Sequence, residues 1–576
     1  MGVTNVEIAA VFDEIADWLE LDGANPFRIR AYRTAARTIG SWPEALALRA
    51  GDGRGFDDLP GIGADLAGKI GEILRRGDCA LLRRLRRAHP RGLTELLKLP
   101  GVGPKRIARL HKELGVTSVA KLVRAARAGR IRALRGFGPR TERALLDAAT
   151  ARLGSARRMK IAAAAAFADA ITAHLRASDA VLELAVAGSF RRMRETVGDL
   201  DVLVASRRGA EATAHFLAYP AIARVLAHGT TRSSVVLKSG LQVDLRVVPP
   251  ESFGAALVYF TGSKAHCIAL RRIARQQGLK INEYGVFRGE RRIAGATETE
   301  IYATVGLPPI APELREDRGE IDAARAQRLP RLIERADLRG DLHAHTDASD
   351  GHAGLAAMAA AAQAAGLDYF AVTDHSRGLR IAHGLDAERL ARQREAIDRF
   401  NAEHRGIVVL HGVEVEILEH GELDLPDAVL ARLDLVVGAV HSHFQLSRAR
   451  QTARILRAMD RPCFSVLAHP TGRLLGERAG YALDFERVVR HARERGCFLE
   501  LNAHPDRLDL DDVQARVAAA AGVPIAIGSD AHDVNGFAAL RFGIGQARRA
   551  WLTAGEVVNT LPLAELKRRL AAIRRG

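Results

Sequence analysis

The feature of this sequence that most constrains its fold is a series of histidines and carboxylates in the last third of its 576 residues. Each lies in a short motif that passes from apolar to polar residues, the pattern of a buried strand followed by a loop. Ligand side chains at successive strand ends converge on one place and can bind divalent cations there. Nine such placements by chance on surface helices are improbable, so the sequence predicts a metal centre. Its predicted ligands are His343, His345, Asp350, His375, Glu414, His441, His469, Asp530 and His532.

Charge divides the chain into a basic front and a neutral, histidine-rich back. Residues 1–336 contain 55 lysines and arginines against 36 acidic residues, a net charge of +19. Residues 337–576 contain 30 against 32, a net charge of −2. A chain of this length is expected to form several domains rather than one core. The basic front indicates a polyanion partner, although a proteome generally rich in arginine is the alternative.

Cysteine usage and the N-terminus indicate the compartment. The four cysteines are far apart and form no CxxC pair, which favours reduced thiols in a cytosol over disulfide bonds. The first residues lack the basic start and long apolar run of a signal peptide. Two alanine runs, residues 161–166 and 355–365, are too short to cross a bilayer. We therefore expect a cytoplasmic protein that does not contact membranes.

Three related glycine motifs occur in the basic front, at residues 59–74, 99–114 and 134–148. Each has an apolar residue, a Gly-x-Gly turn and then an amphipathic helix. Such a turn and the helix N-terminus after it offer backbone N–H groups to a phosphate without reading base sequence. One copy would also fit an ordinary helix connection, but three copies favour DNA binding, and they resemble helix-hairpin-helix motifs. Residues 25–39 form a basic stretch that is a further candidate for DNA contact; the alternative interpretation is a solvated helix face. The expected DNA contacts are Arg28, Tyr32, Gly61, Gly63, Gly101, Gly103, Lys105, Gly136 and Gly138.

Three aspartates in the middle of the chain predict a second metal site. Asp199 and Asp201 lie two residues apart in one predicted strand, so both side chains point to the same face. Asp244 lies in another apolar run, where solvent-facing carboxylates on an edge strand are the weaker interpretation. Converging carboxylates repel unless cations lie between them, and two metals can activate a hydroxyl and stabilise a leaving pyrophosphate. Gly188 and Ser189 permit close approach of a triphosphate, and Arg192 supplies charge to it.

The pattern G-S-x-x-R…D-x-D alone is shared by many nucleotidyltransferases, but the following residues narrow the choice. ALVYFTGSKAHCIALRRIARQQGL, residues 256–279, and KINEYGVF, residues 280–287, together with the hairpins resemble the family X DNA polymerases, to which DNA polymerase beta belongs. The C-terminal part resembles the PHP (polymerase and histidinol phosphatase) domain. The combination is similar to the bacterial PolX proteins over nearly the whole chain.

The resemblance implies roles for individual residues of the middle region. Asp199, Asp201 and Asp244 match the metal-binding triad, and Asp244 would deprotonate the primer 3′-hydroxyl. The matches to residues that contact the incoming nucleotide are, at the triphosphate, Ser189, Arg192 and Gly198 and, at the sugar, Tyr259, Phe260 and Gly262. Two positions depart from the family: Cys267 replaces an asparagine that contacts the nascent base pair, and Gln242 replaces an arginine. A thiol is a weak donor, so we expect lower nucleotide affinity or fidelity.

Lys69 matches the lysine that forms a Schiff base with an abasic sugar in the beta enzyme. A lysine with a lowered pKa at this position would act as such a nucleophile. Asp65 and Arg28 stand where that enzyme has two further lysines. The alternative role of Lys69 is a phosphate contact.

The nine C-terminal ligands match the PHP pattern without loss. The resemblance implies a distorted seven-stranded β/α barrel that binds three ions, manganese or zinc, while the aspartate triad would use magnesium or manganese. It also implies 3′–5′ exonuclease activity, with incision at abasic sites left open. PHP domains also act as phosphatases on small monoesters, and one that has lost ligands can be a structural prop. Glu500 and Asn502 at another strand end are expected to shape the pocket.

The predicted fold class is multidomain: helical helix-hairpin-helix domains, an α/β palm of the polymerase beta type and a C-terminal PHP barrel. The predicted boundaries are residues 1–85 and 86–155 for two helical domains, 156–250 for the palm, 251–315 for a thumb-type domain, 316–337 for a linker and 338–576 for the PHP domain.

The leading hypothesis is a template-directed DNA repair polymerase with its own 3′–5′ exonuclease, acting on gapped DNA and deoxynucleoside triphosphates. One alternative is a transferase that adds nucleotides to RNA or a small molecule, against which the three hairpins argue. The other is a DNA-end-binding scaffold with one or both metal sites inactive, which the complete ligand sets disfavour.

Overall fold

The computed structural model describes residues 5–40, 42, 46–51, 55–88, 93, 96, 99, 104–154 and 158–574. The chain divides into two compact units, Met1–Arg158 and Met159–Gly576. Among the described residues, no helix is both long and apolar enough to cross a membrane.

The first unit is helical. Its apolar side chains form one core that extends from Ile8 to Ala149 and includes Phe12, Trp18 and Tyr32. The glycine at the first hairpin, Gly61, has φ +78°, and Gly136 of the third has φ +84°, so both turns use the left-handed region that favours glycine. The described helices are α1 Asn5–Leu21, α2 Pro26–Gly40, α3 Leu46–Gly51, α4 Ala64–Arg76, α5 Ala80–Ala88, α6 Pro104–Leu114, α7 Val119–Arg127 and α8 Pro139–Gly154.

The second unit begins with the palm. Its strands are β1 Met159–Lys160, β2 Glu183–Val186, β3 Thr196–Val197, β4 Asp199–Ala205, β5 Ile222–Ala227, β6 Arg232–Leu237 and β7 Gln242–Val248, and its helices are α9 Ile161–Arg176, α10 Gly188–Arg191 and α11 Gly209–Leu217. Five of the strands form a sheet in the order β2-β4-β7-β6-β5. Strands β4 and β7 are parallel, and the other neighbours in this sheet are antiparallel. Strands β1 and β3 form a separate short antiparallel pair.

The thumb follows as a three-stranded antiparallel sheet with three helices. Its core includes Leu270, Ile301 and Tyr302, all nearly inaccessible to solvent. The elements are α12 Phe253–Thr261, α13 Lys264–Gln276, β8 Lys280–Asn282, β9 Gly285–Arg288, β10 Arg291–Ala294 and α14 Glu298–Ala303.

The segment predicted as a linker, residues 316–337, is folded onto its neighbours rather than extended. It contains helix α15, Glu320–Arg325. Ile321 and Leu332 join the core of the thumb, and Ile333 joins the core of the barrel. Apolar residues hidden in a Pro- and charge-rich stretch attach it to both domains.

The C-terminal domain is a barrel of seven parallel strands in sequence order, and the predicted β/α barrel is confirmed. Valine-rich, fully buried strands are typical of parallel sheets covered by helices. At the seam, a parallel bridge joins Ala344 at the end of the first strand to Ala531, three residues after the last strand. The amide of Asn559 donates 2.8 Å hydrogen bonds to the carbonyls of Gly340 and Ile527 across the same seam.

The bounds of the barrel elements follow the alternation of strand and helix. The strands are β11 Gly340–Ala344, β12 Tyr369–Val372, β13 Val408–Glu416, β14 Leu435–Ala439, β15 Val466–Leu467, β16 Phe498–Asn502 and β17 Ile525–Gly528. The helices are α16 Leu355–Ala364, α17 Ala387–Glu403, α18 Asp427–Leu430, α19 Arg448–Met459, α20 Phe485–Arg495, α21 Asp512–Ala520, α22 Leu540–Arg549 and α23 Leu563–Ile573.

Candidate metal centres

The three palm aspartates lie together on one face of the sheet. Asp201 on β4 is the direct register partner of Asp244 on β7, and Asp199 lies two residues before Asp201. The intervening residues Leu200 and Val243 are buried on the opposite face. The predicted alternation is therefore present, and the pairing of two neighbouring interior strands brings all three carboxylates to one face of the sheet.

The triad has the electrostatics of a cation site. Burial raises the pKa of Asp201 to about 7, and the charges of Asp199 and Asp244 act in the same direction, against Arg246 and Arg192. A buried carboxylate with two acidic neighbours is costly to ionise unless positive charge lies beside it. Divalent cations between the three carboxylates would supply the missing charge, so the residues present fit the metal site that the sequence predicted.

Asp244 is oriented by two neighbours. It accepts a hydrogen bond from the Ser234 hydroxyl and one of 2.8 Å from the side-chain amide of Gln242. Gln242, the residue that departs from the family pattern, thus fixes the position of a triad carboxylate rather than supplying charge.

The turn after β2 contacts the triad closely. Gly188 has φ +63°, and a Cβ atom there would lie 2.3 Å from Oδ2 of Asp201. Only glycine lets the backbone approach this carboxylate. Arg192 ends the turn, and its guanidinium donates to the carbonyl of Thr261 and, over 3.1 Å, to Glu316. Ser189 lies in α10, and Gly198 directly precedes β4.

The predicted sugar-contacting residues lie at the end of helix α12. The rings of Tyr259 and Phe260 meet edge to face with centroids 5.1 Å apart. Arg271 lies over Tyr259 and Arg246 over Phe260. Gly262, with φ +72°, places its Cα position next to Arg192, since a Cβ there would lie 3.2 Å from Nη1 of that arginine. The turn therefore brings the residues predicted to contact the sugar next to Arg192, which is predicted to contact the triphosphate.

Cys267 is buried, and its thiol points at the carbonyls of Val258 and Tyr259, 3.6 Å from each. Burial raises the pKa of this thiol. A neutral thiol directed at helix carbonyls is poorly placed to donate to a base pair, and the lower nucleotide affinity or fidelity stays a prediction.

Glu414 is the centre of the barrel cluster. It is buried, and burial alone would raise its pKa, but the surrounding histidines, His375 and His441 foremost, hold that pKa well below its usual range. Five histidine nitrogens lie within 3.5 Å of its two carboxylate oxygens: His375 Nδ1 at 3.0 Å, His343 Nε2 at 3.3 Å, His345 Nε2 at 3.5 Å, His469 Nε2 at 2.9 Å and His441 Nε2 at 3.2 Å.

Eight of the nine predicted ligands form three groups whose candidate ligand atoms lie within 4.8 Å of one another. The groups share His345 and His375, so they belong to one continuous cluster. The ninth, His469, contacts Glu414 as described above. The groups are His345 with Asp350, His375 and His532; His343 with His345 and Asp530; and His375 with Glu414 and His441.

The chemistry of these donors fits metal ions. Both ring nitrogens of His345, Nε2 of His343 and Nδ1 of His375 are buried without a hydrogen bond. Nε2 of His343, Nε2 of His345 and Nδ1 of His375 lie 3.0–3.5 Å from Glu414, so imidazole nitrogens and a carboxylate surround the same small space. Buried polar groups are nearly always satisfied, and a cation between these donors would satisfy them. Imidazole and carboxylate together suit zinc or manganese.

Carboxylates behind the cluster orient its histidines. Glu500 accepts from Nδ1 of His343 over 2.7 Å and from the backbone N–H of His469 over 2.6 Å. Glu416 lies 2.9 Å from Nδ1 of His441. Such partners fix which ring nitrogen faces a metal. Glu500 was expected near the pocket, but Glu416 was missed, although its position two residues after Glu414 on a strand signals the same face.

Sequence reasoning also missed Arg507. Its Nε lies 3.5 Å from Oδ2 of Asp530, which also accepts from the amide of Asn502 over 3.1 Å. Arg507 is the charged group next to the ligands that suits a substrate phosphate. No motif signalled it, because it lies in a loop after β16 whose course depends on the barrel.

In the helical unit, some of the residues predicted to contact DNA are exposed or lie in turns, and one is buried. Arg28 is exposed, and the described glycines Gly61, Gly63, Gly136 and Gly138 lie in turns that precede helices. Gly101, Gly103 and the side chain of Lys105 lie outside the described residues. Tyr32 is only 1% exposed and packs on Phe12 with ring centroids 5.5 Å apart, so its ring belongs to the core and the structure does not offer it to DNA.

Lys69 is paired with Asp65 at 2.5 Å. Burial lowers the pKa of Lys69, but the hydrogen bond to Asp65 and the nearby Tyr32 outweigh it and leave the pKa above its ordinary value. A nucleophilic amine must be deprotonated. This arrangement therefore opposes the lyase role predicted for Lys69.

Family models match most of the chain. They describe a helix-hairpin-helix domain over residues 3–79, a SAM-like helix-hairpin-helix tandem over 93–151, a DNA polymerase beta palm over 158–259, a DNA polymerase beta thumb over 256–316 and a PHP domain over 341–504. With the aspartate triad and the nine-ligand barrel, they define a nucleotidyltransferase of the polymerase beta type joined to a PHP metal centre.

Relatives among known proteins identify the family. The DNA polymerase/3′-5′ exonuclease PolX of Bacillus subtilis is 38% identical over 568 residues, which cover 97% of this chain and 98% of that protein. The chain therefore belongs to the PolX family. Probable phosphatases of Acetivibrio thermocellus and Syntrophotalea carbinolica are 32% and 29% identical, each over 38% of this chain and 86% and 90% of the relative.

Proposed function

We propose that this chain fills short gaps in DNA at its palm and removes nucleotides from 3′ ends at its PHP domain. The observation that carries the proposal is that both ligand sets are complete and assembled within one chain of the PolX family. Three carboxylates meet on one face of the palm sheet, and the nine predicted ligands meet at one end of the barrel. The relative with nearly full coverage is named for both activities.

The palm residues have complementary tasks in synthesis. Magnesium or manganese held by Asp199, Asp201 and Asp244 would favour ionisation of the primer 3′-hydroxyl and stabilise the leaving pyrophosphate. Asp244, oriented by Ser234 and Gln242, accepts the proton of that hydroxyl. These roles require all three carboxylates to be ionised. Because the pKa of Asp201 is about 7, its full ionisation at neutral pH would depend on bound cations.

The nucleotide is held by the turn and the thumb. Ser189 and the backbone after Gly188 contact the triphosphate, and the Arg192 guanidinium neutralises part of its charge. Tyr259 and Phe260 form the wall against the sugar, where aromatic bulk excludes a ribose 2′-hydroxyl. Gly198 and Gly262 allow the backbone to approach closely.

The PHP residues are arranged for hydrolysis of a phosphodiester. Three ions, manganese or zinc, held by the nine ligands would supply a hydroxide nucleophile and stabilise the leaving oxygen. Glu416 and Glu500 keep the histidine rings oriented, and Arg507 holds the phosphate beside Asp530. Fusion to a polymerase module favours a DNA 3′ end over the small monoesters that a phosphatase uses.

The helical unit supports these activities by holding DNA through backbone phosphates. Its hairpin turns and the exposed Arg28 provide sequence-independent contacts.

We place the protein in the cytoplasm. Incision at abasic sites uses the same hydrolysis and belongs to the PHP domain, whereas lyase activity at Lys69 is opposed by its pairing with Asp65.

A scaffold without activity is not favoured, because neither ligand set has lost a member. A gapped, 5′-phosphorylated duplex incubated with deoxynucleoside triphosphates and manganese tests both activities at once. The unaltered chain should extend and shorten the primer. Asp199→Ala with Asp201→Ala should remove extension and keep shortening, and His343→Ala or Asp530→Ala should do the reverse.

A matched control is Glu211→Ala, since Glu211 is an exposed palm carboxylate paired with Arg208 on the surface. It should leave both activities intact. Loss of both activities by either set of substitutions, in protein that melts normally, would contradict the assignment of two separate centres. Release of phosphate from a 3′-phosphorylated primer without further shortening would instead indicate a phosphatase.

A further inference from the structure

The turn that presents Arg192 to the nucleotide is held from the PHP domain. Helix α22 of the barrel lies against this turn, and a Cβ atom at Gly545 would lie 2.4 Å from the methyl carbon of Met193. The side-chain amide of Gln546 donates a 2.6 Å hydrogen bond to the carbonyl of Met193. Arg549 donates a 2.7 Å hydrogen bond to the carbonyl of Arg192 itself.

These contacts act on a turn that needs support. Met193 has φ +53°, in the left-handed region that non-glycine residues rarely adopt. Such a conformation persists when its surroundings determine it. Gln546 and Arg549 are 1% and 3% exposed, so their hydrogen bonds are made out of competition with water.

Arg549 also controls the carboxylate that competes for Arg192. The same Oε1 of Glu316 accepts from Nε of Arg192 over 3.1 Å and from Nη1 of Arg549 over 3.0 Å. Nη2 of Arg549 is fixed by Asp512 at 2.6 Å. Because Arg549 shares the charge of Glu316, that carboxylate binds Arg192 less completely than it would alone.

We infer that Arg549 and Gln546 of the PHP domain are positioning residues of the polymerase site, which keep Arg192 placed and available for the triphosphate. The inference rests on the proposed function, because it takes Arg192 as the nucleotide-binding arginine. Neither residue is among the nine metal ligands. The PHP domain thus serves synthesis through its outer helix while its strand ends serve degradation.

The test compares single-nucleotide gap filling by Arg549→Gln, Arg549→Lys and Gln546→Met with the unaltered full-length chain. Losing a hydrogen bond made by a charged donor is expected to raise KM for the deoxynucleoside triphosphate about tenfold for Arg549→Gln, with kcat within about twofold. Lysine retains the charge but not the fork, so Arg549→Lys should lie between the two. Calorimetric binding of a non-hydrolysable triphosphate should weaken in the same order, and 3′ shortening should be unchanged.

The neighbouring Arg548→Gln is the matched control. Arg548 lies on the same helix, but its guanidinium pairs with Glu313 at 2.7 Å and donates to the carbonyl of Ile333 over 3.0 Å, both outside the turn. It should keep a normal KM. A similar KM rise for Arg548→Gln, an unchanged KM for Arg549→Gln, or parallel loss of both activities and melting temperature would overturn the inference.

If Arg549→Gln fails to fold, Arg549→Lys and Gln546→Met decide the matter, and an unchanged KM and triphosphate affinity in both would overturn the inference. Failure of the proposed function is a different result. In that case the unaltered chain itself would not extend the primer.

Discussion

Replacing Gly188 by alanine should disable synthesis and spare degradation. The added Cβ would lie 2.3 Å from Oδ2 of Asp201, whereas ordinary contacts lie at 3.4–4 Å. The carboxylate must therefore move by about 1 Å, and a displacement of about 1 Å in a catalytic group costs roughly 100-fold in rate. Alanine at φ +63° adds a backbone cost of about 1–2 kcal/mol to the folded state.

Gly240→Ala separates these two effects. Gly240 lies in the same palm, between β6 and β7, with φ +87° and nothing within 4 Å of an added Cβ. Single-nucleotide gap filling, 3′ shortening and thermal unfolding would be measured on the same preparations. We expect both variants to be slightly destabilised, but only Gly188→Ala to lose about 100-fold in gap filling. Equal gap filling by the two variants would refute the reasoning about Asp201.

Three further predictions follow from individual charges. Glu414→Gln removes the carboxylate at the centre of five histidines, so exonuclease rate at limiting manganese should fall about 100-fold while gap filling stays within about twofold; a manganese titration checks this, and an unchanged nuclease would contradict it. Burial would raise the pKa of Glu298, but Arg191 and Arg315 lower it to about 2. A depressed pKa gives stability that is present above about pH 4.5 and is lost as pH falls towards 2. Glu298→Gln should therefore lower the free energy of unfolding at pH 7 by about 3 kcal/mol and flatten its dependence on acid pH, as measured by urea unfolding. Parallel curves of unfolding free energy against pH for the two proteins would count against it. Asp65→Asn removes a group that raises the pKa of Lys69, so more of this amine should be deprotonated at pH 7. Borohydride trapping of the covalent complex between the protein and an abasic 5′ end should then increase. No increase would show that Lys69 is not the amine that limits the reaction.

Much of the site was accessible from the sequence because its signals are local. Asp199 and Asp201 two residues apart on a strand must share a face, and the apolar runs before the histidines define the barrel strands. The register that pairs Asp201 with Asp244 could only be expected from the family, since it depends on how two distant strands align.

What the sequence did not reveal depends on tertiary packing. An aromatic such as Tyr32 in a basic helix gives the same pattern whether it faces the core or a ligand. Arg549 and Gln546 lie in an amphipathic helix with nothing to distinguish them from surface residues. Their role depends on the palm turn that packs against them. Gln546 and Met193, which are hydrogen-bonded, are more than 350 positions apart in the chain.

Crystals of the protein soaked with manganese give the most direct test, because anomalous scattering locates each bound ion. If one chain has a polymerase site and a separate exonuclease site, manganese peaks should lie between Asp199, Asp201 and Asp244. Further peaks should lie around Glu414 and His345. Fully ordered side chains at both places without any peak would contradict it.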